Sequence, residues 1–233
     1  MPKPHAVAVS APPCQGFRTI TRDDDEWPTR LNQLACAPEK LWLRGESLLA
    51  VQTPVAILGA RASTSYGEHV ASTLAAELAE AGVTILSGGS YGIEAATIRG
   101  ALGVGGSVVC LQASGIDAPY PRANTALLEA VTERGTVLTG HEPGVTPTRS
   151  LLQDRSRQLA AMASVVIVVE AAARSGALLS VAQAHELGTP VLAVPGPVTS
   201  AVSAAPHDLL RNGIARLATR AADVLTVLDQ KEI

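Results

Sequence analysis

The chain has 233 residues, 47% of them hydrophobic and only 3% aromatic, with 18 Lys and Arg against 21 Asp and Glu for a formal charge of -3. That length suits one large domain plus a small appendage, and the apolar share fills a substantial core of Ala, Val, Leu and Ile. The negative balance excludes a surface that is basic all over, so a nucleic-acid partner would have to be held by a local patch.

Cys14, Cys36 and Cys110 are widely separated, with no CxxC pair, which fits neither a disulfide framework nor a zinc site. Reduced thiols in a cytoplasmic protein are expected. The five histidines share no metal-ligand spacing, and neither a metal nor a cofactor is expected. No apolar run approaches the roughly 20 residues of a membrane helix, and MPKPHAVAVSAPP is too short and proline-rich for a signal peptide. No membrane association is expected.

Residues 1 to about 26 show no sustained period of 2 or 3.6 and are expected to be a loosely ordered leader whose acidic run, Asp23 to Glu26, is solvated. From Trp27 the apolar anchors Leu31, Leu34, Leu41, Trp42 and Leu43 predict a segment that packs on the main domain. The organisation is therefore a leader and packing segment over 1–52 and an α/β domain over 53–233.

From Val55 onward strands and helices alternate. Strands are predicted at Val55–Leu58, Val83–Leu86, Ser107–Leu111, Thr136–Thr139, Val165–Val169 and Pro190–Val194. Between and after them helices are predicted over about 67–81, up to about 102, over 124–134, 148–162 and 175–187, with shorter ones at 207–211 and 221–228. Gly82, Gly135 and Gly188 stand where helices should stop. Such alternation implies a doubly wound, mostly parallel sheet with right-handed crossovers.

Three strand-to-helix corners carry the chemistry. Val83–Glu94 reads VTILSGGSYGIE, Val55–Gly67 reads VAILGARASTSYG, and Val165–Gly176 reads VVIVVEAAARSG. In a parallel sheet all three lie at the carboxyl edge, where open α/β sheets bind ligands. Small residues there let a ligand reach unpaired helix N–H groups, so Ser87, Gly88, Gly89, Ser90 and Gly92 form a candidate phosphate cradle. The same glycines also serve simply to turn the chain tightly. Neither corner reads GxGxxG, and GxxxxGK[ST] and GxSxG are absent, which argues against a dinucleotide site, a phosphate loop or a hydrolase elbow.

Arginines mark the same edge: Arg61 in the first corner, Arg174 before the third, and Arg149, Arg155 and Arg157 near or on the helix entering strand Val165. Arg155 and Arg157 are two apart and share no helix face, so a phosphate role for both requires a loop there, and a solvated helix face with Asp154 is the alternative. Glu170, closing a buried strand, either takes a hydroxyl or base edge or caps a neighbouring loop. Arg61 either meets a phosphate or pairs with Glu94 or Glu170.

Together VAILGARASTSYG, ILSGGSYGIEAATIRGAL, DAPYPRANTALLEAV, VVEAAARSGALLSVAQAHELGTPVLAVPG and HDLLRNGIARL resemble the DprA (Smf) family of DNA-processing proteins over about Trp27 to Ile214. That resemblance implies a Rossmann-like core that binds and protects single-stranded DNA and helps load a RecA-type recombinase, without catalysis. Gly59, Ala60 and Arg61 stand at the family's GSR corner and keep the Arg that would contact phosphate. In the second corner Tyr91, Glu94 and Ile98 replace the family's Arg, Asp and His. Leu152 to Arg157 keep both arginines of FPxRNR and lose its Phe, Pro and Asn. With no winged-helix tail and most of an N-terminal helical domain missing, a divergent, core-only member is expected. The binding edge implied comprises Arg61, Ser87, Gly88, Gly89, Tyr91, Arg155, Arg157, Ser175 and Gly176, and a homodimer is expected. The alternative is a nucleotide sensor or nucleotide-processing enzyme related to phosphoribohydrolases, whose PGGxGTxxE motif is missing from Glu170–Gly176.

Overall fold

The computed structural model describes residues 16–51 and 53–230, so expectations for residues 1–15, including Cys14, lie outside the described residues. The described residues form a nine-stranded sheet in the order β1-β2-β6-β5-β4-β3-β7-β8-β9. From the amino end it contains β1 (Arg18–Thr21), β2 (Lys40–Gly45), β3 (Val55–Leu58), α1 (Ser65–Glu80), β4 (Ile85–Ser87) and α2 (Ile93–Gly103). β5 (Val108–Leu111), α3 (Thr125–Thr132), β6 (Thr136–Thr139), α4 (Arg149–Met162) and β7 (Val165–Val168) follow. The chain continues through α5 (Ala177–Glu186), β8 (Val191–Ala193), α6 (Ala204–Arg211), β9 (Arg216–Leu217) and α7 (Ala221–Asp229).

Strands β3 to β9 pair in parallel, and β1 and β2 add antiparallel partners beyond β6. The fold is thus doubly wound and mostly parallel, with helices on both faces. Alternation along the central strands feeds two cores. Val55 and Ile57 of β3 with Val165 and Ile167 of β7 face α1, α2, α3 and α7. Ala56 and Leu58 with Val166 and Val168 face α4, α5 and α6. Because both faces are covered, these strands are apolar at every position, which is why they read as continuous runs rather than alternating ones.

Three stretches depart from expectation. Residues 18–21, read as part of a loosely ordered leader, form β1, and the packing segment contributes β2, so strands on both sides of residue 52 belong to one sheet. β1 buries only Ile20, too little for a periodic signal, and its partner β2 supplies the ladder instead. β2 buries Leu41 and Leu43 on one face and Trp42 on the other, while Arg44 forms a two-pronged ion pair with Glu129 on α3. The short β9 also lies beyond the six strands predicted.

The chain runs outward from β3 through β4 and β5 to β6, then returns to lay β7 against the other side of β3. The order therefore reverses between β3 and β7, and a crevice opens outside the carboxyl ends of those two strands. At the opposite edge, Gly82 and Gly188 take left-handed φ angles of 83 and 65° where α1 and α5 give way to the next strand, with open space where a Cβ would stand.

Helices α1 and α2 pack closely at Gly100, where an added Cβ would stand 2.7 Å from the Ser72 Cα. Gly100→Ala is therefore expected to lower unfolding free energy by about 1–3 kcal/mol. Gly103→Ala, pointing into open space on the same helix, should raise it by up to about 1 kcal/mol. Urea denaturation of the two variants checks both signs.

Candidate functional site

The crevice at the β3/β7 reversal is a cleft of about 630 Å³. Its walls come from the first corner (Leu58, Gly59, Arg61), from Ser90 and Glu94, from α4 (Arg149, Leu152, Gln153, Arg155, Ser156) and from the stretch Arg174–Ser180 that starts α5.

Backbone contacts lock the corners together. The Ala60 N–H donates to the Glu170 carbonyl at 2.6 Å, and the Ile93 N–H donates to the Ala60 carbonyl at 3.2 Å. A Cβ at Gly59 would stand 2.6 Å from Ile93 Cγ1 and 2.7 Å from the Glu170 oxygen. Gly92, at φ 68°, approaches the first corner so closely that a Cβ would stand 2.6 Å from the Arg61 carbonyl. Only glycine fits at these two points.

Glu170 is buried, and its carboxylate accepts from the Thr64 N–H at 2.9 Å and from the Thr64 hydroxyl. Thr64 Oγ1 in turn caps α1 by accepting from the Gly67 N–H. Of the two roles open to Glu170, the loop-capping one is what the side chain performs, and it is not among the residues that line the cleft.

Behind the second corner lies a buried ion pair. Arg155 Nη2 meets Glu94 Oε1 at 3.2 Å, with both side chains 7% exposed. Arg155 Nη1 donates to the Gly88 carbonyl at 2.8 Å, and the Ser90 N–H donates to Glu94 Oε2 at 2.8 Å. A Cβ at Gly88 would stand 2.5 Å from the guanidinium carbon. Asn124 Nδ2 holds the other side, donating to the Gly89 carbonyl at 2.9 Å and to that of Ser90 at 3.3 Å. Beneath Gly89 sits Cys110, whose thiol is pushed up to about 12 chiefly by burial, with the Glu94 charge adding to the shift and Arg155 opposing it.

The nine candidate residues thus separate. Arg61, Arg155, Ser175 and Gly176 line the cleft. Ser87, Gly88 and Gly89 are buried behind its wall, and Tyr91 is 47% exposed beside Ser90 but outside the lining. Arg157 sits within the continuous helix α4, outside the lining, and pairs with Asp154 at 2.9 Å. The loop that would have let Arg155 and Arg157 face one strand is not formed.

Two further cations are brought to the cleft, Arg149 at the start of α4 and Arg174 before α5. Arg61, Arg149 and Arg174 are exposed, and among the described residues none of the three has a hydrogen-bond or ion-pair partner. Glu94 and Glu170, the carboxylates that could have paired with Arg61, are engaged by Arg155 and Thr64. In a chain of net charge -3 the cleft therefore concentrates uncompensated positive charge. Among the described residues no group of His, Cys, Asp and Glu could hold a metal ion, and no helix is long and apolar enough to cross a membrane.

The family described as DNA recombination-mediator protein A matches residues 18–229. The chain belongs to that family. The DprA described as a putative DNA processing protein in Mycobacterium tuberculosis is 46% identical over 224 residues, covering 91% of this chain and 57% of its own length. The crystal structure of DNA processing protein A from Streptococcus pneumoniae superposes with a TM-score of 0.84 at 33% identity, covering 91% of this chain and 74% of that one. The Helicobacter pylori protein, described for its unique single-stranded DNA binding mode, gives 0.82 at 26% identity and covers 92% and 96%. The chain spans little more than half the length of the mycobacterial relative.

Cys110 provides a reporter of the second corner. Its burial and raised pKa both suppress the thiolate that alkylating reagents need. In native protein at pH 8, iodoacetamide should modify the exposed Cys36 and leave Cys110 unlabelled until denaturant is added, as read by peptide mass mapping.

Proposed function

We propose that the cleft binds single-stranded DNA and that the chain acts in DNA processing as a recombination mediator, without catalysis of its own. The observation that carries this is the set of unpaired arginines, Arg61, Arg149 and Arg174, gathered at the topological reversal of an otherwise acidic chain. Guanidinium groups with no internal partner are available to phosphate oxygens, and the amino end of α5 adds the partial positive charge of its helix dipole. Tyr91, exposed beside the cleft, offers a ring on which an unpaired base can stack, at roughly 1–3 kcal/mol. Membership of the recombination-mediator family and the strand-binding relative from Helicobacter pylori support the same ligand. A RecA-type recombinase as partner and a homodimeric state belong to this proposal, checked by pull-down with the recombinase and by sedimentation.

The nucleotide-processing alternative is disfavoured by the placement of Glu170. A carboxylate turned to Thr64 and outside the cleft wall is badly placed to act on a sugar or base.

Arg61→Ala and Arg174→Ala are each expected to weaken binding of a labelled oligothymidylate tenfold or more, on the order of 1.5–3 kcal/mol for a charged hydrogen bond. Each should also reduce the slope of log affinity against log salt by about 0.7, the counterion released per phosphate contact on a single strand. Melting temperature should be nearly unchanged. Equal affinity for duplex, or no binding at low salt, would overturn the proposal.

A further inference from the structure

We propose that Glu94 is a resident anion at the amino end of α2 and that Arg155 is a positioning residue which locks it there, not a phosphate ligand. This division of labour rests on the strand-binding proposal above and assigns a role within it.

A helix amino end attracts an anion because its first N–H groups are unpaired. At α2 an anion of the chain's own, Glu94, already stands in the first turn. The Glu94 carboxylate takes the Ser90 N–H, and the Ile93 N–H is spent on the Ala60 carbonyl. A phosphate arriving at the second corner would meet a carboxylate where a cradle of free amides is needed, and like charges at such range repel.

Arg155 is equally committed. Nη2 goes to Glu94 and Nη1 to the Gly88 carbonyl, while Nε is out of solvent reach with no partner. Arg155 reaches the cleft wall at only 6% exposure, so most of its guanidinium is withheld from an incoming strand. What it does control is shape. It ties α4 to Gly88, and through Glu94 to Ser90, which also stands in the cleft wall and is the immediate neighbour of Tyr91. The strand then meets a wall fixed by Arg155 and charges supplied by Arg61, Arg149 and Arg174.

Salt dependence separates the two roles, because only a group that neutralises phosphate releases a counterion. The test measures oligothymidylate affinity over a salt series, together with amide hydrogen exchange of residues 87–92 in the free protein, for the parent, Arg155→Met, Glu94→Gln and the double variant. Arg155→Met is expected to weaken binding about tenfold while the salt slope stays at the parent value, and to speed exchange at Ser90. Glu94→Gln should act in the same direction. The double variant should lose less than the two single losses combined, since neither charge is then left buried alone.

If Arg155→Met fails to fold, Arg155→Lys takes its place. A single ammonium lacks the rigid fork that holds Glu94 and Gly88 in fixed geometry, so weaker binding at unchanged slope is again expected. A slope lower by about 0.7 with Ser90 exchange unaltered would make Arg155 a phosphate ligand and overturn the proposal. Unchanged affinity and exchange would also overturn it. A parent protein that binds no strand sinks the DNA assignment alone, for exchange at Ser90 and the coupling between the two substitutions in unfolding free energy still decide whether the pair holds the corner.

Discussion

The backbone of Ala60 is the point on which the cleft depends. Its N–H is given to the third corner and its carbonyl to the second, so three loops separated by up to 110 residues in sequence are tied through a single residue. Buried backbone polar groups must find partners somewhere, and here each finds one on a different loop. The tie works only because Gly59 and Gly92 allow backbone to touch backbone. Arg61 follows directly and is delivered to the cleft by a loop with little freedom left, while Thr64 and Glu170 fix its far end.

Around that tie the charges fall into two populations governed by different physics. The Arg155–Glu94 pair is almost out of water, where a lone charge is costly and a matched pair holds geometry more than it adds stability. The exposed arginines sit where water still solvates them, so they cost little while idle and can exchange water for phosphate oxygens. The cleft uses both kinds, the buried pair fixing its wall and the exposed arginines bringing charge to it.

Strands buried on both faces announce themselves as apolar runs, and the corners as small residues following them, so the parallel core and the edge that carries the cleft were readable from Val55 onward. The antiparallel additions were not. β1 carries one buried residue in four, and its existence depends on β2, which no local pattern reveals. At the site, Arg61 was found because it lies in a corner. Arg149 and Arg174 were visible as charges, but their arrival in the same cleft depends on how α4 crosses the sheet. Arg155 and Arg157 show the limit most clearly. They sit roughly 200° apart around a helix, so α4 sends one inward to Glu94 and leaves the other beside Asp154. The sequence offered both a loop and a helix there, and only the helix separates them. Glu94 carried a signal that went unused: an acidic residue in the first turn of a helix is itself a candidate for the anion that helix attracts.

The left-handed glycine turns that close α1 and α5, at Gly82 and Gly188, lie at the amino edge of the sheet, a full strand length from every corner that shapes the cleft. Neither touches anything where a side chain would stand. Loop closure becomes only slowly more costly with length, so a fluorophore-bearing peptide or an affinity tag spliced into either turn disturbs little besides the turn itself. The sheet thus separates the edge that carries the cleft from an edge that can be rebuilt, and a label placed at Gly82 would follow the molecule without standing near the cleft.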